Sequence, residues 1–249
     1  MPSFEFEGQR VNYEIVGSGP PLLLHHGFMQ WAEDWSAAGW VRGLSHLRTL
    51  VLFDALGHGR SDRPHDGRHY LVESRSRLVL ALADALGLDQ FGFFGFSMGG
   101  RVGYEVAQSH GDRLAELIVG GMHARSPSLD AASLQKRVRA FRSGRLAALE
   151  RAVGALNERP ANDAEALARA SEASLKWPGA ESRLACIKVP ALVFCGTLDP
   201  LFDDARDCAA RIAGAQFVAL EGATHAHSFY RSGLVMPRLQ GFLAQHPLN

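Results

Sequence analysis

Apolar and polar positions along the 249-residue chain fall into two rhythms. Residues 4–7 and 11–16 alternate around Gly8, which predicts a β-hairpin, and Gly17-Ser18-Gly19-Pro20-Pro21 then breaks the run. Unbroken apolar runs follow at 22–24, 49–53, 91–96, 114–119 and 189–195, with a further strand-like stretch at 216–220. A strand covered on both faces loses its alternation, so these runs predict buried parallel strands. Helical spacing separates them, at 34–44, 70–86, about 98–109, 202–212 and 233–245. In the second of these Leu71, Leu78, Leu82, Ala85 and Leu86 recur at helical intervals, and Gly87 supplies a stop. Strand and helix in alternation predict an α/β fold with a parallel sheet and crossover helices.

The rhythm changes between 125 and 183. No strand-like run occurs there, only Ala-, Arg-, Leu- and Glu-rich segments punctuated by Gly144, Pro160 and Pro178. This predicts two to four short helices inserted over the sheet as a lid, because one structureless crossover of that length is uncommon. The chain divides accordingly into a core at 1–124 and 184–249 and a lid at 125–183.

Composition narrows the function classes. With 47% hydrophobic residues the chain can build one sizeable core, and 26 basic residues balance 26 acidic ones. No global field therefore recruits nucleic acid or an anionic membrane surface, and no apolar run approaches transmembrane length. The start, Met1-Pro2-Ser3-Phe4, has no basic stretch leading into an apolar one. The three cysteines lack metal-type pairing, and Cys195 sits in an apolar run as a buried thiol. A cytoplasmic protein with a small-molecule substrate is expected.

The chemistry concentrates at Gly95-Phe96-Ser97-Met98-Gly99, directly after an apolar run and directly before a helical segment. A serine at such a turn is held in a strained conformation that exposes its hydroxyl, and the flanking glycines avoid clashes. The segment closely resembles the nucleophile elbow of the α/β-hydrolase family. That resemblance implies a mostly parallel central sheet flanked by helices, a helical lid, and a triad in the chain order Ser, Asp, His. Asp199, in the turn after the 189–195 strand, matches the acid; Asp203 and Asp204 are rivals but start the following helix. His225, in the loop after the last strand, matches the base better than His227. The other nine histidines are read as surface or structural, and adjacent His25 and His26 make a poor metal pair, so neither metal nor cofactor is expected.

His25-His26-Gly27-Phe28-Met29 resembles the family's His-Gly-aromatic segment, which implies an oxyanion hole built from the N–H groups of Phe28 and Met98. The stretch from Asp54 to Ser61 and Asp62 resembles a family loop to which a structural role is assigned; Ala55-Leu56 stands where an arginine is common. A serine nucleophile speaks against haloalkane dehalogenases and epoxide hydrolases, which use aspartate at the elbow. The expected reaction is hydrolysis of an ester, lactone or thioester through an acyl-enzyme. Met29, Trp31, Met122 and Phe229 are expected near the substrate and favour an uncharged, fairly apolar one, although Trp31 and Phe229 serve core packing equally well. A carboxylate substrate would instead require a convergent arginine. Arg101 raises that alternative, because the elbow also resembles that of a menaquinone-pathway synthase that eliminates pyruvate. Carbon–carbon bond hydrolases, perhydrolases and non-catalytic receptors share the scaffold.

Overall fold

The protein, represented by a computed structural model, is described for residues 2–127, 131–143 and 162–246. Strands β1 (Ser3–Phe6) and β2 (Gln9–Gly17) form the expected hairpin, with Glu7 and Gly8 at φ of 50° and 75°. Positive φ at both central residues matches the right-handed twist of the flanking strands. β2 also pairs antiparallel with β4 (Thr49–Phe53). All later pairings are parallel and join β3 (Pro21–His25), β4, β5 (Phe91–Phe96), β6 (Leu114–Gly120), β7 (Ala191–Gly196) and β8 (Gln216–Leu220). The eight-stranded order is β1-β2-β4-β3-β5-β6-β7-β8.

That order locates the site before any side chain is considered. From β3 the chain moves outward to β4, and from β5 it moves the opposite way to β6. The carboxyl ends of β3 and β5 therefore flank a topological switch point, where open α/β sheets bind ligands.

Side-chain alternation builds a separate apolar layer on each face. Leu22 and Leu24 join Leu50, Leu52 and Phe94 against α1 (Glu33–Ala37), α2 (Trp40–Leu44) and, beyond them, Leu239 and Phe242. Leu23, Val51 and Phe93 point the other way, toward α3 (Val72–Ala85) and α4 (Met98–Ser109). The helix expected over 34–44 is two helices, because Gly39 adopts φ 86° between them. The helix expected from Tyr70 begins at Val72, after a 3₁₀ turn at Gly67–Tyr70, and Gly87 follows it at φ 68°. β7 starts at Ala191 rather than 189, just past Pro190, which has no N–H to donate.

Between β6 and β7 lie α5 (Ala131–Arg142), α6 (Ala164–Ser174) and a 3₁₀ helix at Glu181–Cys186. Residues 128–130 and 144–161 of the expected lid, with Gly144 and Pro160, lie outside the described residues. The two ends of the insertion meet: Ala180 N–H donates to the Ala124 carbonyl at 2.8 Å, and Arg125 bridges Gly179. The chain closes with α7 (Phe202–Ala210), β8, α8 (His225–Tyr230) and α9 (Met236–Gln245). Among the described residues no helix is long and apolar enough to cross a membrane.

Candidate active site

Ser97 belongs to a strand and a helix at once. Its N–H donates to the Gly120 carbonyl at 2.8 Å, extending the β5–β6 pairing, while its own carbonyl accepts from Gly100 N–H at 2.9 Å as α4 begins. Meeting both demands places it at φ 52°, ψ −108°, a strained conformation for a residue with a side chain. The flanking glycines are required by close backbone approach. A Cβ on Gly95 would lie 2.1 Å from the Gly99 carbonyl oxygen, and one on Gly99 would lie 2.1 Å from that of His25.

His225 Nε2 lies 3.0 Å from Ser97 Oγ, and its Nδ1 lies 2.6 Å from Asp199 Oδ2. With Nδ1–H donating to the carboxylate, Nε2 is left to accept the serine proton. His225 is not a loop residue as expected; it opens the short helix α8, after Thr224 caps that helix through its hydroxyl. Asp199 stands in the turn after β7 with 4% exposure, and its Oδ1 accepts Leu201 N–H at 3.0 Å. Burial alone would raise its pKa, but the hydrogen bond and charge of His225, aided by Leu201 N–H, hold the carboxyl below its ordinary value. Beneath it, burial and then the Asp199 charge push the Cys195 thiol well up, which keeps it inert. The rival acids are engaged elsewhere, Asp203 with Arg206 and Asp204 with Arg125.

The loop after β3 is braced from several sides. Gly27 N–H donates to Gln30 Oε1 at 2.7 Å, and His26 spans from the Gly27 carbonyl (2.7 Å) to Ala55 N–H (3.0 Å). Met29 then turns the chain at φ 67°. Among the described residues neither Phe28 N–H nor Met98 N–H donates to a protein acceptor. The Asp54 loop supports this region from below. Asp54 accepts Ala32 N–H at 2.8 Å and Arg60 N–H at 2.9 Å, and the Ser61 hydroxyl donates to the Asp54 carbonyl at 2.6 Å.

Two cavities meet at Ser97 and His225. The larger, about 430 Å³, is lined by Phe28, Met98, Arg101 and Met122 from the expected set, together with Ser97, Asp199 and His225. The smaller, about 230 Å³, includes Phe28 and Phe229. Met29 and Trp31 line neither, contrary to expectation. The turn at Met29 sends its side chain into packing with Val138, Phe141 and Leu167, and the 3%-exposed Trp31 donates its indole N–H to Asn162 Oδ1 at 2.8 Å. Arg75, Arg137 and Ser171 line the larger cavity without having been anticipated. Arg75 left a trace in the sequence, since it falls four residues after Leu71 and three before Leu78 on the apolar face of α3. Arg137 and Ser171 left none, because only the packing of α5 and α6 brings them in.

Chemically, this arrangement can withdraw a proton from a serine hydroxyl and return it to a leaving group beside two backbone donors. Among the described residues no group of three or more His, Cys, Asp or Glu side chains is placed to hold a metal ion.

Comparisons with known proteins agree with the topology. The sequence profile of the alpha/beta hydrolase fold matches residues 20–173. Haloalkane dehalogenase 2 of Mycobacterium bovis is 32% identical over 117 residues, covering 47% of this chain and 40% of that protein. A putative 2-succinyl-6-hydroxy-2,4-cyclohexadiene-1-carboxylate synthase of Bacillus subtilis is 27% identical over 141 residues, covering 55% of this chain and 49% of that one. The chain thus spans less than half the length of these curated relatives. The crystal structure of the enol-lactonase from Burkholderia xenovorans superimposes with a TM-score of 0.86 at 27% identity, covering 98% of this chain and 100% of that chain.

Proposed function

The chain belongs to the alpha/beta hydrolase fold family, and from that premise we propose that it is a serine hydrolase cleaving carboxylic ester-type bonds of a small molecule. The bond is an ester, lactone or thioester, and the reaction passes through an acyl-enzyme at Ser97. The observation that carries this reading is the Ser97–His225–Asp199 hydrogen-bonded series opening onto a cavity of about 430 Å³.

Ser97 Oγ attacks the substrate carbonyl carbon as its proton passes to His225 Nε2. Asp199 fixes the tautomer and stabilises the imidazolium. The oxygen that gains negative charge is held by the N–H groups of Phe28 and Met98, each such donor being worth roughly 10²–10³ in rate. Collapse of the tetrahedral intermediate expels the leaving group, which takes the proton from His225. Water, deprotonated by the same imidazole, then releases the acid. The two cavities sharing Ser97 and His225 would separate the acyl part from the leaving group, with α5 and α6 as the lid. A lactone is a cyclic ester, so the enol-lactonase likeness fits this class. Dehalogenation is not carried over, because position 97 holds serine. The free thiols of Cys186, Cys195 and Cys208 fit a cytoplasmic setting.

A second reading, elimination rather than hydrolysis, draws on Arg101 in the cavity wall. The test is labelling by a fluorophosphonate probe together with turnover of p-nitrophenyl acyl esters of increasing chain length. Ser97→Ala should abolish both. If Ser97 is neither labelled nor needed for turnover, the hydrolase reading fails; inert esters with elimination from an anionic substrate would favour the second.

A further inference from the structure

Three guanidinium groups from three different helices line the larger cavity: Arg75 on α3, Arg101 on α4 and Arg137 on α5. The one carboxylate lining that cavity among the described residues is Asp199, which His225 already engages. None of the three arginines forms a salt bridge with a described residue. Arg75 is only 4% exposed, and its two terminal nitrogens and Nε of Arg101 are buried without hydrogen-bond partners. The nearest support for Arg75 is Tyr70, whose ring centroid lies 5.5 Å from the guanidinium carbon and whose carbonyl accepts from Nε at 3.4 Å. The Ser171 hydroxyl, on the same wall, is also buried and unpartnered.

Burying a guanidinium without a counter-charge is costly for the buried Arg75 and the half-buried Arg101, and the exposed Arg137 adds repulsion at Arg101. The repulsion registers at Arg101, whose pKa is lowered to about 10 by burial first and then by Arg137. Arg75, lowered to about 10 by burial, and Arg101 both still carry charge at neutral pH. A bound anion relieves both costs, and planar guanidinium forks match a carboxylate in two-point hydrogen bonding. The same cavity reaches Ser97, and Phe28, Val102 and Met122 offer apolar surface beside the charged wall.

We propose that Arg75, Arg101 and Arg137 form a carboxylate-binding subsite, so that the substrate is an ester or lactone of a short dicarboxylic acid. Its free carboxylate lies on the arginine wall while the scissile carbonyl faces Ser97. The identity of the scissile bond rests on the hydrolase reading above; the anion subsite does not. The proposed subsite takes up the carboxylate alternative, for which convergent arginines are the requirement, in place of the uncharged substrate expected from the sequence.

The test has two arms. In the first, glutarate and the neutral glutaramide are titrated calorimetrically into the Ser97→Ala protein, which removes chemistry from the measurement. Glutarate should bind and glutaramide should not, and Arg101→Met or Arg137→Met should weaken glutarate binding by about 10- to 100-fold, the range for a lost charged hydrogen bond. Arg101→Lys should recover part of that loss, and thermal melting confirms that each variant is folded. In the second, the monoester p-nitrophenyl glutarate is compared with p-nitrophenyl pentanoate, of equal chain length. The charged ester should be preferred at least tenfold in kcat/KM, mainly through KM, and Arg101→Met should shrink that ratio. Glutarate binding that is absent or indifferent to Arg101 and Arg137 overturns the subsite. Equal turnover of the two esters overturns the substrate class while leaving the hydrolase reading intact. Arginine-dependent glutarate binding with Ser97 unlabelled would do the reverse.

Discussion

Asp199 Oδ2 lies 2.6 Å from Nδ1 of His225, joining the turn after β7 to the first residue of α8, 26 residues further along the chain. An asparagine at 199 could present its amide N–H to Nδ1 and hold the ring in the tautomer whose Nε2 cannot accept the serine proton. Asp199→Asn should therefore lower kcat by about 10³–10⁴-fold with little change in KM. Because Asp199 is held below its ordinary pKa, its stabilising charge is present above the unfolded value and is lost only as pH falls through the folded one. The rate loss should consequently persist across pH 6–9 in a kinetic profile; a variant retaining a tenth of wild-type kcat would remove Asp199 from the mechanism.

Gly99→Ala tests the elbow itself. The added carbon would meet the His25 carbonyl oxygen at 2.1 Å and carbonyl carbon at 2.7 Å, backbone atoms that cannot swing aside as a flexible side chain would. We expect a loss of about 1–3 kcal/mol in stability and more than 100-fold in activity as Ser97 shifts. Gly111→Ala, where nothing lies within 4 Å, is the control. Equal urea midpoints and rates for the two variants would contradict the close-approach argument.

Asn162 ties the insertion to the donor loop. Its Oδ1 accepts the Trp31 indole N–H at 2.8 Å and its Nδ2 donates to the Met29 carbonyl at 3.1 Å, next to the strained turn that follows Phe28. Asn162→Ala removes both buried bonds, at a cost of about 1–3 kcal/mol. If Phe28 N–H stabilises charge in the transition state, kcat should fall about tenfold while KM holds. A change confined to KM would instead make the contact part of substrate binding.

Far from the cavity, Arg48 forks onto Glu116 through Nε at 3.0 Å and Nη2 at 3.1 Å, with both side chains buried. Nη2 also holds the Leu243 carbonyl at 3.0 Å. Arg48→Met leaves a buried carboxyl whose pKa burial already raises. Breaking such a pair by removing one partner costs about 3–5 kcal/mol, readable as a fall in urea midpoint with activity per folded molecule preserved. A cost below about 1 kcal/mol would mean that Glu116 finds another partner.

His25 and His58 are fully enclosed, and burial first, then the charges of His26 and Arg75, push both well below the ordinary 6.5. The unfolded chain then binds more protons than the folded one below that value, so stability must fall as pH drops through it. The slope is about 1.4 kcal/mol per pH unit for each such histidine. Urea midpoints at pH 7.5 and 5.5 measure the effect, and His58→Gln should flatten it. An unchanged slope would show that other groups carry the acid sensitivity.

What was legible in the sequence follows from range. The apolar run into Ser97, the glycines beside it and the turn bearing Asp199 are local patterns, and the fold brings these together with His225, which opens a short helix where a loop was expected. Sequence neighbours of the donor loop misled for the opposite reason. Met29 and Trp31 adjoin Phe28 in the chain, but one positive φ at Met29 turns them away from the cavity. The charged wall was least legible of all. Arg101 came into view beside the elbow, whereas Arg137 depends on how a helix of the insertion settles, and no periodicity within that helix records its neighbours.

The meeting of Ala124 with Ala180, and of Arg125 with Gly179, makes the insertion a closed loop whose two feet stand on one spot of the core. Loop-closure entropy grows only slowly with length, so segments of quite different size and sequence could be spliced there with the sheet and the serine turn untouched. Arg137 arrives on that exchangeable part, while Arg75 and Arg101 stand on permanent helices. Under the proposed function, substrate preference is thus partly interchangeable, open to revision by grafting without touching Ser97, Asp199 or His225.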